Sequence, residues 1–193
     1  MPDRERLEIT DPQRIRAMAH PLRIELLDLL GYVPEATATE CAERTGESVA
    51  SCSFHLRMLA KYGYIEPAEP RGREKPWRLV SRSRSVSADW SDPASVAAAG
   101  EFALLTIDQE AERLRSWLRQ VKEEPREWSE STVITRSTVW LTRDELAEVS
   151  DALASLTDRF RDRDDPAVRP AGARLVRMFG ATTIDPNPPT SSD

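Results

Sequence analysis

The sequence predicts a mainly α (α+β) fold in two parts, and three observations carry that prediction. Apolar residues recur at helical spacing through several short segments before residue 62. A cationic stretch rich in Pro and Gly then sits between two short apolar runs. Beyond it, one long helical pattern leads into segments dense in β-branched residues.

The elements follow in order. Asp11 stands as a helix cap with Pro12 at the first helical position, and Ile15 and Met18 begin an apolar face. His20-Pro21 breaks and restarts the chain, because a residue before proline is driven out of the helical region; His20 therefore reads as a structural residue at a helix start. Leu22, Leu26, Leu29 and Leu30 form the stripe of a second helix, which Gly31 is expected to end.

The run Thr39 to Leu59, TECAERTGESVASCSFHLRML, holds a short helix, a glycine turn and another helix. Thr39 or Thr37 caps the first, Cys41 and Ala42 face a core, and Gly46 ends it. Ser48 caps the second, in which Cys52, Leu56 and Leu59 fall at i, i+4 and i+7 and turn inward. Ala50, Ser51, Ser53, Phe54, Arg57 and Lys61 lie opposite, mostly small or cationic, a surface that lets a helix approach base edges and phosphates. The spacing fits a helix-turn-helix, whose second helix usually enters the major groove of DNA. Taken alone, the segment also suits an ordinary surface helical hairpin.

Tyr62-Gly63-Tyr64 stops the helix, Tyr64 and Ile65 start a strand, and Trp77 to Val80 return it. The intervening Glu69 to Pro76 is too polar to bury and projects Arg71, Arg73 and Lys75 at a hairpin tip. A cationic hairpin after such a helix is a wing that lies along phosphates or dips into the minor groove. The other reading is a solvated charge run without a partner.

These features together resemble the ArsR family of winged-helix transcriptional regulators, through RIRAMAHPLRIELLDLL at Arg14 to Leu30 and SVASCSFHLRMLAKYGYIE at Ser48 to Glu66. The resemblance covers about Asp11 to Val80, with the helix pair, the Ser53 to Leu56 segment, the glycine turn and the wing in the family's order. It implies an N-terminal winged helix-turn-helix domain and DNA-reading positions at Val49, Ala50, Ser53, Phe54, His55 and Arg57, with Arg71, Arg73 and Lys75 on the wing. Ser48 and Lys61, at the two ends of the reading helix, complete the expected DNA-binding set. Phe54 departs from the polar or basic residue usual in the family, and either meets a thymine methyl or packs inside. His55 is either a phosphate or base contact or a partly buried ring bonded to backbone, and contact is the reading taken.

Charge divides the chain as function would require. Its net charge of -6 alone argues against nucleic acid. Between Ser48 and Val86, however, Arg57, Lys61, Arg71, Arg73, Lys75, Arg78, Arg82 and Arg84 face only Glu66, Glu69 and Glu74. From Ser87 onward thirteen basic residues meet twenty acidic ones, so that part is repelled by DNA and serves another partner.

After a polar linker, Ser81 to Ser85, Asp92-Pro93 opens a helix reaching toward Glu124, where Pro125 ends it. Leu104, Ile107, Ala111, Leu114, Leu118 and Val121 alternate spacings of three and four, a heptad seam with Phe102 and Trp117 beside it. The family dimerises through flanking helices, so Leu104, Ile107, Ala111, Leu114, Trp117, Leu118 and Val121 are the expected homodimer interface; packing against a later helix is the alternative.

Thr132 to Leu141 (TVITRSTVWL) reads as a strand, and Thr142 to Glu145 as a capping box opening a helix to about Arg163, striped by Leu146, Val149, Leu153, Leu156 and Phe160. Arg174 to Phe179 (RLVRMF) reads as a second strand able to pair with the first, giving a small α+β unit. The tail from Thr182 is expected to be disordered. The domains expected are thus 1–86, a winged helix-turn-helix DNA-binding domain; 87–181, a dimerisation and effector domain; and 182–193, a tail.

A composition of 39% hydrophobic and 31% charged residues describes a soluble globular chain, and neither a membrane span nor a signal peptide is read, so a cytoplasmic protein is expected. Cys41 stands alone, Cys52 falls at a core position and no His follows His55, so no metal or other cofactor is expected; a Cys41–Cys52 redox pair is the less simple reading than two small core residues. No phosphate loop, nucleophile elbow or His–carboxylate cluster is present, so an enzyme is not expected. The function expected is a sequence-specific, homodimeric DNA-binding repressor with double-stranded DNA as partner and an effector left open. A winged-helix protein–protein module without DNA binding is the alternative.

Overall fold

The computed structural model describes residues 7–81 and 84–187. The chain divides into two compact units, 1–120 and 121–193, so the boundary expected at 86/87 falls inside the first. Arg82 and Ser83 of the expected linker, and 188–193 of the expected tail, lie outside the described residues.

In the first unit the leucine stripes read from the sequence meet in one core. Helix α1 (Pro12–Met18) contributes Ile15 and Met18, and α2 (Pro21–Tyr32) contributes Leu22, Leu26, Leu29 and Leu30. Gly31 lies within α2, which runs one residue past it to a cap at Val33. Helix α3 (Ala38–Thr45) adds Cys41 and Ala42, and α4 (Val49–Lys61) adds Cys52, Leu56 and Leu59. Each helix start is satisfied by a side chain. Asp11 accepts from Arg14 N–H at 2.7 Å, His20 Nδ1 from Leu22 N–H at 3.2 Å, and Ser48 Oγ from Ser51 N–H at 3.1 Å. Thr37, rather than Thr39, caps α3 in a full capping box with Glu40. Gly46 ends α3 at φ +74°, left-handed backbone that a side chain would strain.

The wing is an antiparallel pair, β2 (Ile65–Pro67) with β3 (Trp77–Leu79), in register Ile65 with Leu79 and Pro67 with Trp77. Ala36 bridges Trp77 from the other side, fastening the wing to the loop before α3. The strand β1 (Leu7–Ile9) pairs in parallel with β4 (Arg84–Val86), Ile9 opposite Val86. The end of the expected linker is therefore a strand: Val86 packs against the core, and the ladder with β1 satisfies backbone that a linker would leave to water.

Helix α5 (Pro93–Gln120) starts on Asp92, which accepts from Ala94 N–H at 2.9 Å. Its first turns are bound to the winged part through buried Ala98 and through Ser95, whose hydroxyl donates to Thr10 O at 2.6 Å. Farther along, Gln109 Nε2 donates to Pro21 O at 3.0 Å and Arg113 pairs with Asp28 at 2.8 Å.

The second unit is helical and open. It holds α6 (Arg126–Ser129) and α7 (Arg143–Ser155), the latter begun by the Thr142–Glu145 capping box. The strand expected at Thr132 to Leu141 is not formed, since none of these residues has a ladder partner among the described residues; Val133 and Trp140 are 81% and 79% exposed. The strand expected at Arg174 to Phe179 is absent likewise, because Arg174 is drawn to side chains elsewhere in the unit, pairing with Glu124 at 2.8 Å and covering the Trp128 ring at 5.0 Å. The helix expected to reach Arg163 stops at Ser155, whose hydroxyl bonds back to Asp151 O, and continues as 3-10 turns over 158–164 and 166–168. The α+β description thus gives way to a helical one in this unit. Among the described residues, no helix is long and apolar enough to cross a membrane.

Candidate nucleic-acid interface

The turn between α3 and α4 sets what α4 shows to solvent. With Cys52, Leu56 and Leu59 fully buried, the helix must present Ser48, Val49, Ala50, Phe54, Arg57 and Lys61 outward, and all six are exposed; Ser53 is half-buried. Phe54 is 53% exposed, so of its two readings the outward one is the geometry found. Arg57 is held along the helix by a bond from Nε to Ser53 O at 3.2 Å.

His55, expected on this face, lies beneath it. Its ring is buried, 4.3 Å from the His20 ring and edge-on to Phe54 at 5.2 Å, and its Nδ1 has no hydrogen-bond partner among the described residues. Burial, then the neighbouring His20 and Arg23, holds the His55 imidazole below its ordinary pKa, with Glu47 opposing. His20 is held down by burial and Arg23. Both rings are thereby kept neutral, as His20 must be for its Nδ1 to accept the Leu22 N–H.

At the wing tip, Arg71 and Glu74 exchange backbone hydrogen bonds at 3.0 and 3.2 Å around Gly72-Arg73. Gly72 takes φ +65°, the hairpin geometry that requires glycine at the first central position. Arg73 and Lys75 are exposed there. Arg71 is not directed outward in the same sense: Nε and Nη2 both donate to Glu35 Oε1, at 2.9 and 2.6 Å, and Nη1 donates to Glu40 Oε1 at 3.1 Å. The Glu35 bond raises the Arg71 pKa, and the Thr37 backbone bond lowers that of Glu40. Glu40 therefore serves the α3 cap through one oxygen and the wing through the other. The pattern Thr37-x-x-Glu40 is legible as a capping box; the Arg71 link, across 31 residues, has no local signal.

Cys41 and Cys52 are free and fully buried, and burial pushes the Cys41 thiol up to about 12. Both sit in the core, which is the simpler of their two readings. No group of three or more His, Cys, Asp or Glu residues placed to hold a metal ion occurs among the described residues. Along the expected dimer seam, Leu104, Ile107, Leu114 and Leu118 are exposed, and Ala111 and Trp117 are half-buried. Val121 is half-buried and belongs to the second unit.

Residues 18–67, about a quarter of the chain, match the family model described as a helix-turn-helix domain. No curated protein matches the chain. Among solved structures, the chain is similar to the homodimeric winged helix-turn-helix DNA-binding domain of a possible ArsR-family transcriptional regulator from Mycobacterium bovis (23% identity, 51% of this chain and 77% of that one, TM-score 0.34). It is similar also to a possible transcriptional regulator for arsenical resistance (28% identity, 53% and 93%, TM-score 0.32). A third is a mutant of Lactococcus lactis ZitR in apo form (17% identity, 77% and 88%, TM-score 0.32). The matched segment spans α2 to β2, and β3 completes the hairpin beside it. Within the first unit, the segment from α2 to β3 therefore has the fold of a helix-turn-helix with a wing.

Proposed function

We propose that the chain is a transcription regulator of the ArsR type that binds double-stranded DNA as a homodimer and acts as a repressor. The observation that carries this reading is the exposed face of α4 in a matched helix-turn-helix: small Ser48, Ala50 and Ser53 permit close approach, while Arg57 and Lys61 offer charge. Val49 and Phe54, both exposed, supply apolar contact for thymine methyl groups in this reading. Arg73 and Lys75 extend the contact along phosphates from the wing, and His55 and Arg71 support it from behind. Exposed Leu104, Ile107, Leu114 and Leu118 on α5 supply the seam for a second copy, and two-fold symmetry matches two half-sites.

The test is fluorescence anisotropy of the purified protein against duplex DNA from its own promoter region, with an unrelated duplex as competitor. Saturable binding that survives competitor at low salt is expected. Failure to bind either duplex at low salt overturns the reading and leaves a winged protein–protein module.

A further inference from the structure

Beside α5 the first unit carries a partly open cleft of about 210 Å³ between α2, β4 and α5. Its wall is mostly apolar, formed by Met18, Ile24, Leu27, Val86 and Phe102. One cationic residue, Arg84 on β4, lines it. Burial lowers the pKa of Arg84, opposed by Asp28 and Tyr64. Its Nη1 donates to Ser81 O at 3.3 Å, a long bond for a guanidinium. Two carboxylates, Asp28 and Glu110, also line the cavity, and both are engaged by Arg113 of α5, at 2.8 Å for Asp28 and closer still for Glu110.

We propose that this cavity is a binding site for a small monocarboxylate with an aromatic or branched apolar body, its carboxylate held by Arg84. The size fits: roughly 150 Å³ holds a benzene ring, which leaves room here for one carboxylate. A guanidinium fork matches a carboxylate with two parallel hydrogen bonds, and the apolar part of the wall, by lowering the local polarity, strengthens them. Asp28 and Glu110 set the upper limit on charge. Both line the same cavity, so a second negative charge on the ligand would meet like charge, and a monocarboxylate is favoured over a dicarboxylate or phosphate. A ligand here touches α2, β4 and α5 together, and so reports to the helix that carries the seam.

The test uses the full chain without DNA, so that its failure and that of the DNA-binding reading are separate results. Calorimetric titration with benzoate, benzyl alcohol and benzylamine compares one apolar body under three charges. Benzoate is expected to bind saturably, one per chain, at least about tenfold tighter than the other two, and Arg84→Gln to remove that advantage. Because Arg84→Gln bears on a buried site, amide shift mapping on the unmodified chain gives a second reading: benzoate should move Met18, Ile24, Val86 and Phe102. Equal or tighter binding of benzylamine, shifts confined to other residues, or no saturable benzoate binding at its solubility limit would each overturn the proposal.

Discussion

Truncating Arg71 and truncating Arg73 should do different things to DNA binding, although the two residues lie two positions apart on a cationic wing. Arg57, Lys61, Arg73 and Lys75 are exposed and make no ion pair among the described residues, whereas Arg71 is held by Glu35 and Glu40. Each phosphate neutralised contributes about 0.9 to the slope of log K against log salt. On the proposed dimer, four cations on each of two protomers would give a slope of about -7; adding Arg71 would make it about -9. At the first value, a fourfold rise in salt weakens binding roughly ten-thousandfold. Arg73→Ala, present on both protomers, should flatten the slope by about 2. Arg71→Ala should lower affinity by releasing the wing from α3, yet leave the slope unchanged within about half a unit. Anisotropy titrations at five salt concentrations read both quantities at once. If Arg71→Ala flattens the slope as much as Arg73→Ala, the ion pairs to Glu35 and Glu40 give way to phosphate and the assignment of Arg71 as a support is refuted.

Three further outcomes follow from the packing. Leu56→Ala, at a fully buried position where α4 meets the core, should cost about 2 to 5 kcal/mol in urea unfolding; a loss below about 1 would mean the site collapses or is less packed than described. The lowered pKa values of His20 and His55 mean that the unfolded chain takes up protons first as pH falls, so their contribution is complete above the ordinary value of 6.5 and lost as pH drops from there toward the folded values. Thermal melts from pH 8 to pH 5.5 should show this loss, and the double variant His20→Asn with His55→Gln should melt with a shallower pH dependence; an unchanged dependence would clear the pair of any role. Replacing Ile107 and Leu114 by Glu should shift a dimer to monomer in sedimentation velocity, and retention of the dimer would place its interface elsewhere.

What the sequence discloses and what it conceals follow from the range of the interactions involved. The caps Asp11, Thr37, Ser48 and Thr142 act within three residues, and the stripes of α2 and α4 repeat within two turns, so composition and spacing reveal them. The parallel pairing of Leu7–Ile9 with Arg84–Val86 leaves no local mark: three residues are too few for a pattern, and the flanking serines resemble a linker. His55 escapes spacing for a related reason. It borders both faces of α4, and its ring lies inward against that of His20 at the start of α2, a contact 35 positions away in the chain. In the second unit the local signal misleads instead. Alternating β-branched residues from Thr132 to Leu141 satisfy the local preference for a strand, but a strand also needs a ladder partner, and the segment expected to supply one is held by Arg174 to Glu124 and Trp128.

The pairing of β1 with β4 also bears on how the first unit is assembled in time. Its two partners are separated by the whole helix-turn-helix and wing, so the loop it closes is long. Chain entropy resists such a closure until the intervening helices have shortened the path, which makes it a late step of folding rather than a nucleus. Ile9 then enters the core, and Ser95 fixes Thr10 beside it. The amides of residues 7–9 act as a timer: in pulsed hydrogen exchange they would gain protection after those of α2 and α4, marking the moment at which the α5 end of the unit is locked to its beginning.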